Sequence, residues 1–175
     1  MKKTMLRAAV GASAMALALF SSVSAAQATT AGAPEGVQAK DGFSVTKLSH
    51  SDAAGRLSAA GISVSSSGGC SDRNTPTCTS LEQVNLATIQ GAATLKSASG
   101  CALTVTGGTE TGHADGTYSH WNGYKLDIHM TSCVTNYVKG TFTSIGGGKW
   151  QSGSGNIYYD EGNHWDVTFM NCGGC

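Results

Sequence analysis

The stretch Tyr118-Ser-His-Trp-Asn-Gly-Tyr-Lys-Leu-Asp-Ile128 decides how this chain is interpreted. It places His120 and Asp127 seven residues apart, with Gly123 between them, and it ends in an apolar run typical of a strand. Taken singly, each residue has a simple structural explanation. A lone histidine is more often a surface or hydrogen-bonding residue than a metal ligand, and an aspartate in a strand usually faces solvent. The stretch therefore needs a second group before it predicts a function.

That second group is Tyr159-Asp-Glu-Gly-Asn-His-Trp-Asp-Val167. It supplies His164 and, three residues before it, Glu161. With His120 and Asp127 this makes two histidines and one aspartate, a three-ligand zinc set with an open fourth position, and Glu161 is the further carboxylate that such a site needs as a base. The competing explanation is that Glu161 belongs to a hairpin turn, because Asp, Gly and Asn are common in turns.

The patterns around both stretches predict a small α+β domain with a mainly antiparallel sheet and helices on one face. Helical spacing and polar caps predict helices at 49–60, from Thr79 or Ser80 to Ser99, and from Thr131 or Ser132 to Val138. Alternation of apolar and polar residues predicts strands at 62–66, 101–106, 124–129, 141–145, 149–151, 157–159 and 164–170.

The amino-terminal residues have the composition of a targeting signal. Three basic residues precede an apolar run at 8–20, and the small residues that follow allow cleavage after Ala25 or Ala28. We therefore divide the chain into a signal peptide at 1–28, a flexible leader or pro-segment that can include a short helix at 29–60, and a folded domain at 61–175.

Composition excludes some classes of function. The chain has 175 residues, enough for one domain, and its formal net charge is zero with only 13% charged residues. The absence of a basic run argues against nucleic-acid binding. After the signal, no segment approaches the ~20 apolar residues of a membrane span. We expect an exported protein, secreted or periplasmic, with no membrane span in its mature form.

All six cysteines follow the signal peptide, and their even number predicts up to three disulfides in an oxidising compartment. Spacing alone does not choose among the connectivities, and we favour the pairs that are nearest in sequence. These are Cys70 with Cys78, Cys101 with Cys133, and Cys172 with Cys175. The alternative for the last pair is a thiolate metal site or a redox pair, although the second CxxC pair and the βαβ setting of such motifs are missing.

The two stretches resemble the motifs of the zinc D-alanyl-D-alanine peptidases. This family includes D-Ala-D-Ala carboxypeptidases and dipeptidases, L-Ala-D-Glu endopeptidases and proteins of the hedgehog-like fold. Its first motif is Ser-x-His-x-x-Gly-x-Ala-x-Asp followed by Ile or Val, and the chain keeps His120, Gly123 and Asp127 at that spacing. Its second motif, an acidic residue, two further residues and a histidine, is similar to the segment from Glu161 to His164. The resemblance implies a hedgehog-like fold, zinc on the two histidines and the aspartate, and Glu161 as the catalytic base.

The chain also departs from the family pattern. The serine stands one residue before the first histidine rather than two, and Lys125 and Leu126 occupy the region of small residues. Glu110 stands where the family often has an arginine, which would pair with a substrate carboxylate. Glu110 itself, His113 in the same loop, and Trp165 are our candidates for contacts with substrate.

The sequence thus predicts a secreted, disulfide-stabilised zinc metallopeptidase that hydrolyses amide bonds in the peptides of cell-wall peptidoglycan. The expected cofactor is Zn²⁺, the expected partner is a peptide substrate, and the expected state is a monomer. The alternative is a non-catalytic secreted module that retains the fold and binds the cell wall or another protein. Replacing Glu161 separates the two, because a peptidase would lose turnover and keep its metal.

Overall fold

The structure is a computed structural model, and it describes residues 45–170. This part of the chain has an α+β fold with three helices, a seven-stranded sheet and a separate pair of short strands. The helices are α1 (His50–Ala59), α2 (Leu86–Ser99) and α3 (Ser132–Thr141). The strands are β1 (Lys47–Leu48), β2 (Ile62–Val64), β3 (Val84–Asn85), β4 (Leu103–Gly107), β5 (Lys125–His129), β6 (Thr143–Gly146), β7 (Lys149–Gln151), β8 (Ile157–Asp160) and β9 (His164–Thr168).

The large sheet has the strand order β2-β4-β5-β9-β8-β7-β6, and β1 pairs with β3 beside it. Within the large sheet β2 and β4 pair in parallel, and every other neighbouring pair is antiparallel. The predicted α+β class with a mainly antiparallel sheet is therefore confirmed. Because β5 and β9 are interior strands, the sheet holds each of them along both edges.

One face of the sheet joins the three helices in a single hydrophobic core. Along β5 and β9 every second residue is fully buried in that core, and these residues are Leu126, Ile128, Trp165 and Val167. Successive side chains of a strand point to opposite faces. Asp127 and Asp166, which alternate with these residues, and His164, which directly precedes Trp165, therefore point to the other face.

The predicted caps are present at two of the three helices. Ser49 caps α1, where its side-chain oxygen accepts the N–H of Asp52, and Thr131 caps α3 in the same way. The start predicted for α2 is wrong, because this helix begins at Leu86 rather than at Thr79 or Ser80. Its end agrees with the prediction, since a left-handed Gly100 follows Ser99.

Tertiary contacts explain the late start of α2. Residues 79–85 are held by distant segments, and the Ser80 N–H donates to Glu110 Oε2 at 2.7 Å. Gln83 has a φ of 64°, in the left-handed region that the interior of an α-helix excludes. The polar residues that resemble a capping box therefore form a connection between β2 and β3 instead.

Gly91, in the middle of α2, allows a close approach in the core. A Cβ at this position would lie 2.4 Å from Cδ1 of Phe169, whose ring is almost completely buried. Glycine within a helix costs ~1 kcal/mol relative to alanine. The space that it leaves for the Phe169 ring explains why a poor helix former occupies this position.

Two of the predicted disulfides are present among the described residues, Cys70–Cys78 and Cys101–Cys133. Cys172 and Cys175 lie outside the described residues, and so do the predicted signal peptide and the first part of the leader. Ala53 and Leu57 of α1 belong to the core, so the folded part begins on the amino-terminal side of the predicted boundary at 61. Within 45–170, none of the helices has the length and apolar character needed to cross a membrane.

Candidate metal centre

The candidate site lies on the face of the sheet opposite the core. The register of β5 and β9 pairs Asp127 with Asp166. His164 stands two residues before Asp166 on β9, so its side chain points to the same face. A cavity of about 250 Å³ opens there. It is lined by the four residues predicted as ligands and base, together with His113, Lys125 and Asp166. The structure therefore brings His120, Asp127, Glu161 and His164 together, as predicted from their spacing and resemblance.

His120 reaches the cavity from the loop between β4 and β5. Gly123, at a φ of 78°, provides the bend that returns the chain to β5. His120 Nδ1 lies 2.6 Å from the carbonyl oxygen of Gly108. Because a carbonyl oxygen only accepts, Nδ1 carries a hydrogen, and Nε2 is the ring nitrogen that faces Asp127. That Nε2 lies 3.3 Å from Asp127 Oδ1.

His164 is oriented in a similar way at the start of β9. Its Nδ1 lies 2.8 Å from Asn163 Oδ1, so the hydrogen on Nδ1 has an acceptor beside it. Its Nε2 is 3.3 Å from Asp127 Oδ1 and 3.2 Å from Glu161 Oε2. A hydrogen bond from the second ring nitrogen to an oxygen is the arrangement that fixes metal-ligating histidines in proteins.

Asp127 lies at the meeting point of the two imidazoles and is 6% exposed. Its Oδ1 is buried and accepts no hydrogen bond from the described residues. Burial opposes the charged carboxylate, but the neighbouring His120, followed by His164 and His113, outweighs that effect and holds the pKa of Asp127 below its ordinary value. The Nε2 atoms of His120 and His164 thus converge on one carboxylate oxygen, in the manner of ligands around a metal ion.

Asp166 and Lys125 complete the polar face, and the sequence interpretation missed both. Asp166 Oδ2 is 2.7 Å from Lys125 Nζ and 3.9 Å from His120 Nε2. Asp166 Oδ1 is buried and has no hydrogen-bond partner within the described part of the chain. The signal was the alternation of the strands, which puts Lys125 on the face of Asp127 and Asp166 on the face of His164.

His113 and Glu110 form a pair behind His120. The His113 ring stacks on the His120 ring, with 3.8 Å between centroids, and His113 Nε2 is 3.2 Å from Glu110 Oε1. The hydrogen bond to Glu110 raises the pKa of His113, although burial opposes the rise. Glu110 is 3% exposed and also accepts the N–H groups of Ser80 and Gly108. Its carboxylate therefore contacts the protein itself and supports His113.

The role suggested for Trp165 in substrate binding is wrong. Trp165 is fully buried, because it points from β9 into the core while its neighbour His164 points to the cavity. Its ring packs edge-on against Trp150, and its indole N–H donates to Thr135 Oγ1 at 3.3 Å. The tryptophan supports the strand that carries His164 and has no surface to offer a ligand.

Among the described residues, one set of three possible ligand atoms has all its members within 4.8 Å of one another, and it comes from His113, His120 and Asp127. It shares two residues with the predicted set and differs by exchanging His164 for His113. No protein-family model, curated protein or solved structure matches this chain. The chemistry of the cavity is therefore the basis for assigning a function.

Proposed function

We propose that this protein is a secreted zinc metallopeptidase, similar to the zinc D-alanyl-D-alanine peptidases and of their hedgehog-like fold, that acts on peptidoglycan peptides. The observation that carries the proposal is the convergence of His120 Nε2 and His164 Nε2 on the buried, unpartnered Asp127 Oδ1. Two imidazoles and one carboxylate are the donors of catalytic zinc sites that leave a coordination position open.

The contacts of the histidines favour His120 and His164 over His113 as ligands. His120 and His164 each place an oxygen acceptor beside Nδ1 and leave Nε2 for the metal. His113 instead has its Nε2 against Glu110, and its Nδ1 is 3.9 Å from Asp127 Oδ2. We therefore assign zinc to His120, Asp127 and His164.

Glu161 has the position of a general base. Its side chain is 38% exposed at the mouth of the cavity, and its Oε2 is 3.2 Å from His164 Nε2. When bound, zinc would polarise the scissile carbonyl and make an attacking water more acidic. Glu161 would take the proton of that water and deliver it to the leaving amine, a role that needs a carboxylate beside the metal ligands.

A measurement of bound zinc, made alongside peptide hydrolysis, tests the assignment. The purified parent should hold about one zinc per chain. His164→Ala should hold little, while His113→Ala should keep its zinc as a matched histidine control. Zinc retained by His164→Ala and lost by His113→Ala would transfer the third ligand to His113. A parent that takes up no zinc when supplied with it would overturn the proposal.

The same proteins test catalysis through Glu161→Gln. This variant should keep its zinc and lose hydrolysis of peptidoglycan peptides by about 10²- to 10⁴-fold, the usual contribution of acid–base catalysis. Hydrolysis by the parent together with its loss in Glu161→Gln supports a peptidase. A parent that binds zinc but hydrolyses none of the peptides would instead support the non-catalytic module that retains the fold.

A further inference from the structure

Lys125 supplies the one ammonium or guanidinium group among the described residues that line the cavity. It stands on β5 two residues before Asp127, so both side chains lie on the same face of the sheet. Lys125 Nζ is 2.7 Å from Asp166 Oδ2, and the lysine side chain is 26% exposed. A positive charge is thus held beside the candidate metal ligands and remains accessible from the cavity.

The hydrogen bond to Asp166 uses part of the donor capacity of this ammonium. A lysine has three N–H donors, and Asp166 Oδ2 is the one acceptor that Lys125 Nζ meets within residues 45–170. Two donors remain for a group that enters the cavity. Asp166, which is itself buried, orients the ammonium through this short contact.

A second lysine–aspartate pair provides a comparison. Lys139 Nζ is 2.9 Å from Asp160 Oδ2, outside the cavity, with 42% of the lysine side chain exposed. Its ammonium also lies 5.0 Å from the centre of the Trp150 ring, so it has a structural explanation as a cation over an aromatic surface. Lys125 has no aromatic ring beneath it in the part of the chain from 45 to 170, and it faces a cavity instead.

The contacts of Lys125 indicate which part of a substrate it would meet. Asp166 Oδ2 lies 3.9 Å from His120 Nε2, so a carboxylate oxygen contacts both the ammonium and a candidate ligand. Lys125 donates to none of the ligands directly. A group bound to Lys125 would therefore lie beside the atoms that would hold the metal rather than on them.

We propose that Lys125 binds a carboxylate of the peptide substrate and selects peptides that carry one next to the scissile amide. This inference rests on the proposed peptidase function. Two sources offer the same chemistry, the terminal carboxylate of the peptide and the branch carboxylate of an acidic residue beside the cleaved bond. In both cases the carboxylate would accept the two donors that Asp166 leaves on Lys125.

Four peptides that differ only in amidation test this proposal. One has both carboxylates free, two have one or the other amidated, and one has both amidated. The parent should prefer a free carboxylate by about 10- to 100-fold in kcat/KM, mainly through KM, as expected for a hydrogen bond between charged groups. The amidation that removes the preference identifies the source. Lys125→Met should lose this preference, Lys125→Arg should keep most of it, and Lys139→Met should keep all of it.

Calorimetric binding of the same peptides to Glu161→Gln gives a readout that does not need turnover. Binding should weaken on amidation, and the Lys125→Met substitution added to this variant should abolish the difference. A parent that hydrolyses and binds all four peptides equally would overturn the role of Lys125 and leave the peptidase proposal intact. Equal losses on acid and amide peptides in Lys125→Met would also overturn it, because they indicate a structural role. If the parent neither binds zinc nor hydrolyses any of the peptides, both proposals are overturned.

Discussion

The two halves of the candidate metal centre are held in different ways. Asp127 and His164 come from β5 and β9, which the sheet holds along both edges. His113 and His120 come from the loop between β4 and β5, which is held by hydrogen bonds within the loop itself and by Arg73 from outside it. The site thus depends on both the sheet and the loop, and we expect that substitutions can weaken one of them without affecting the other.

Arg73 connects the loop half of the site to a segment outside that loop. It lies in the short loop that the Cys70–Cys78 disulfide closes. Its side chain donates to the carbonyl oxygens of Thr109 and Trp121, and its guanidinium lies 3.7 Å from the centre of the Trp121 ring. Its own carbonyl oxygen accepts the N–H of Thr111 at 2.8 Å. The disulfide loop therefore braces the segments on either side of His113 and His120.

The substitution with the largest expected effect on zinc binding lies in the sheet half of the site. Asp127→Asn keeps the shape of the side chain and removes the charge on which both imidazoles converge. Zinc affinity should fall by more than about 100-fold, beyond the effect of removing an outer hydrogen-bond partner. Zinc titration measures the affinity, and a variant that binds zinc as tightly as the parent would contradict this account.

The two disulfides provide the next comparison. Replacing Cys70 and Cys78 by serine should lower zinc affinity by about 10- to 100-fold, as loss of outer support does. From loop length, it should cost about 2.5 kcal/mol of unfolding free energy. Replacing Cys101 and Cys133 should cost more stability, about 3.7 kcal/mol, because the loop is longer, yet it should leave zinc affinity unchanged. The disulfide whose loss costs less stability should thus have the larger effect on zinc affinity. Zinc titration of the folded variants at low temperature, together with denaturant unfolding, tests this order.

Local patterns were sufficient for the parts of the fold that the sheet and the caps determine. Alternation predicted β5 and β9, and helical spacing with a polar cap at Ser49 or Ser51 predicted α1. The start of α2 was not predictable in this way, because Ser80 and Gln83 are shaped by contacts with Glu110 and β1, which no local pattern records. Local propensity predicts that α2 starts at Thr79 or Ser80, and tertiary contacts shorten the helix so that it starts at Leu86.

A similar division applies to the site. Spacing and resemblance predicted that His120, Asp127, Glu161 and His164 would meet, and the structure brings them into one cavity. The role of Glu110 could not be predicted from the sequence, because the backbone N–H groups of Ser80 and Gly108 that it accepts leave no residue-specific signal. Asp166 could have been found, since alternation along the predicted strand already placed it beside His164.

A smaller effect on the loop half is expected from Arg73→Ala. This change removes the donors to Thr109 and Trp121 but leaves the disulfide and the backbone contact to Thr111 in place. Zinc affinity should fall by about 10-fold or less, at the lower end of outer-support effects. Arg56→Ala, on the exposed side of α1, is the matched control and should bind zinc as the parent does. An Arg73→Ala variant indistinguishable from Arg56→Ala would remove Arg73 as a support of the centre.

The smallest effect on the centre is expected from a change that touches neither half. Gly91→Ala would place a Cβ 2.4 Å from Phe169 Cδ1, so overpacking should cost about 1–3 kcal/mol of stability while zinc affinity stays at the parent value. Gly55→Ala in α1 is the matched control, since a Cβ there meets no atom within 4 Å. That variant should gain up to about 1 kcal/mol from helix propensity. The same substitution would then change stability in opposite directions at two helical positions, and denaturant unfolding measures both. A loss of zinc affinity in Gly91→Ala would show that the core beneath β9 also positions His164, and the two supports would no longer be independent.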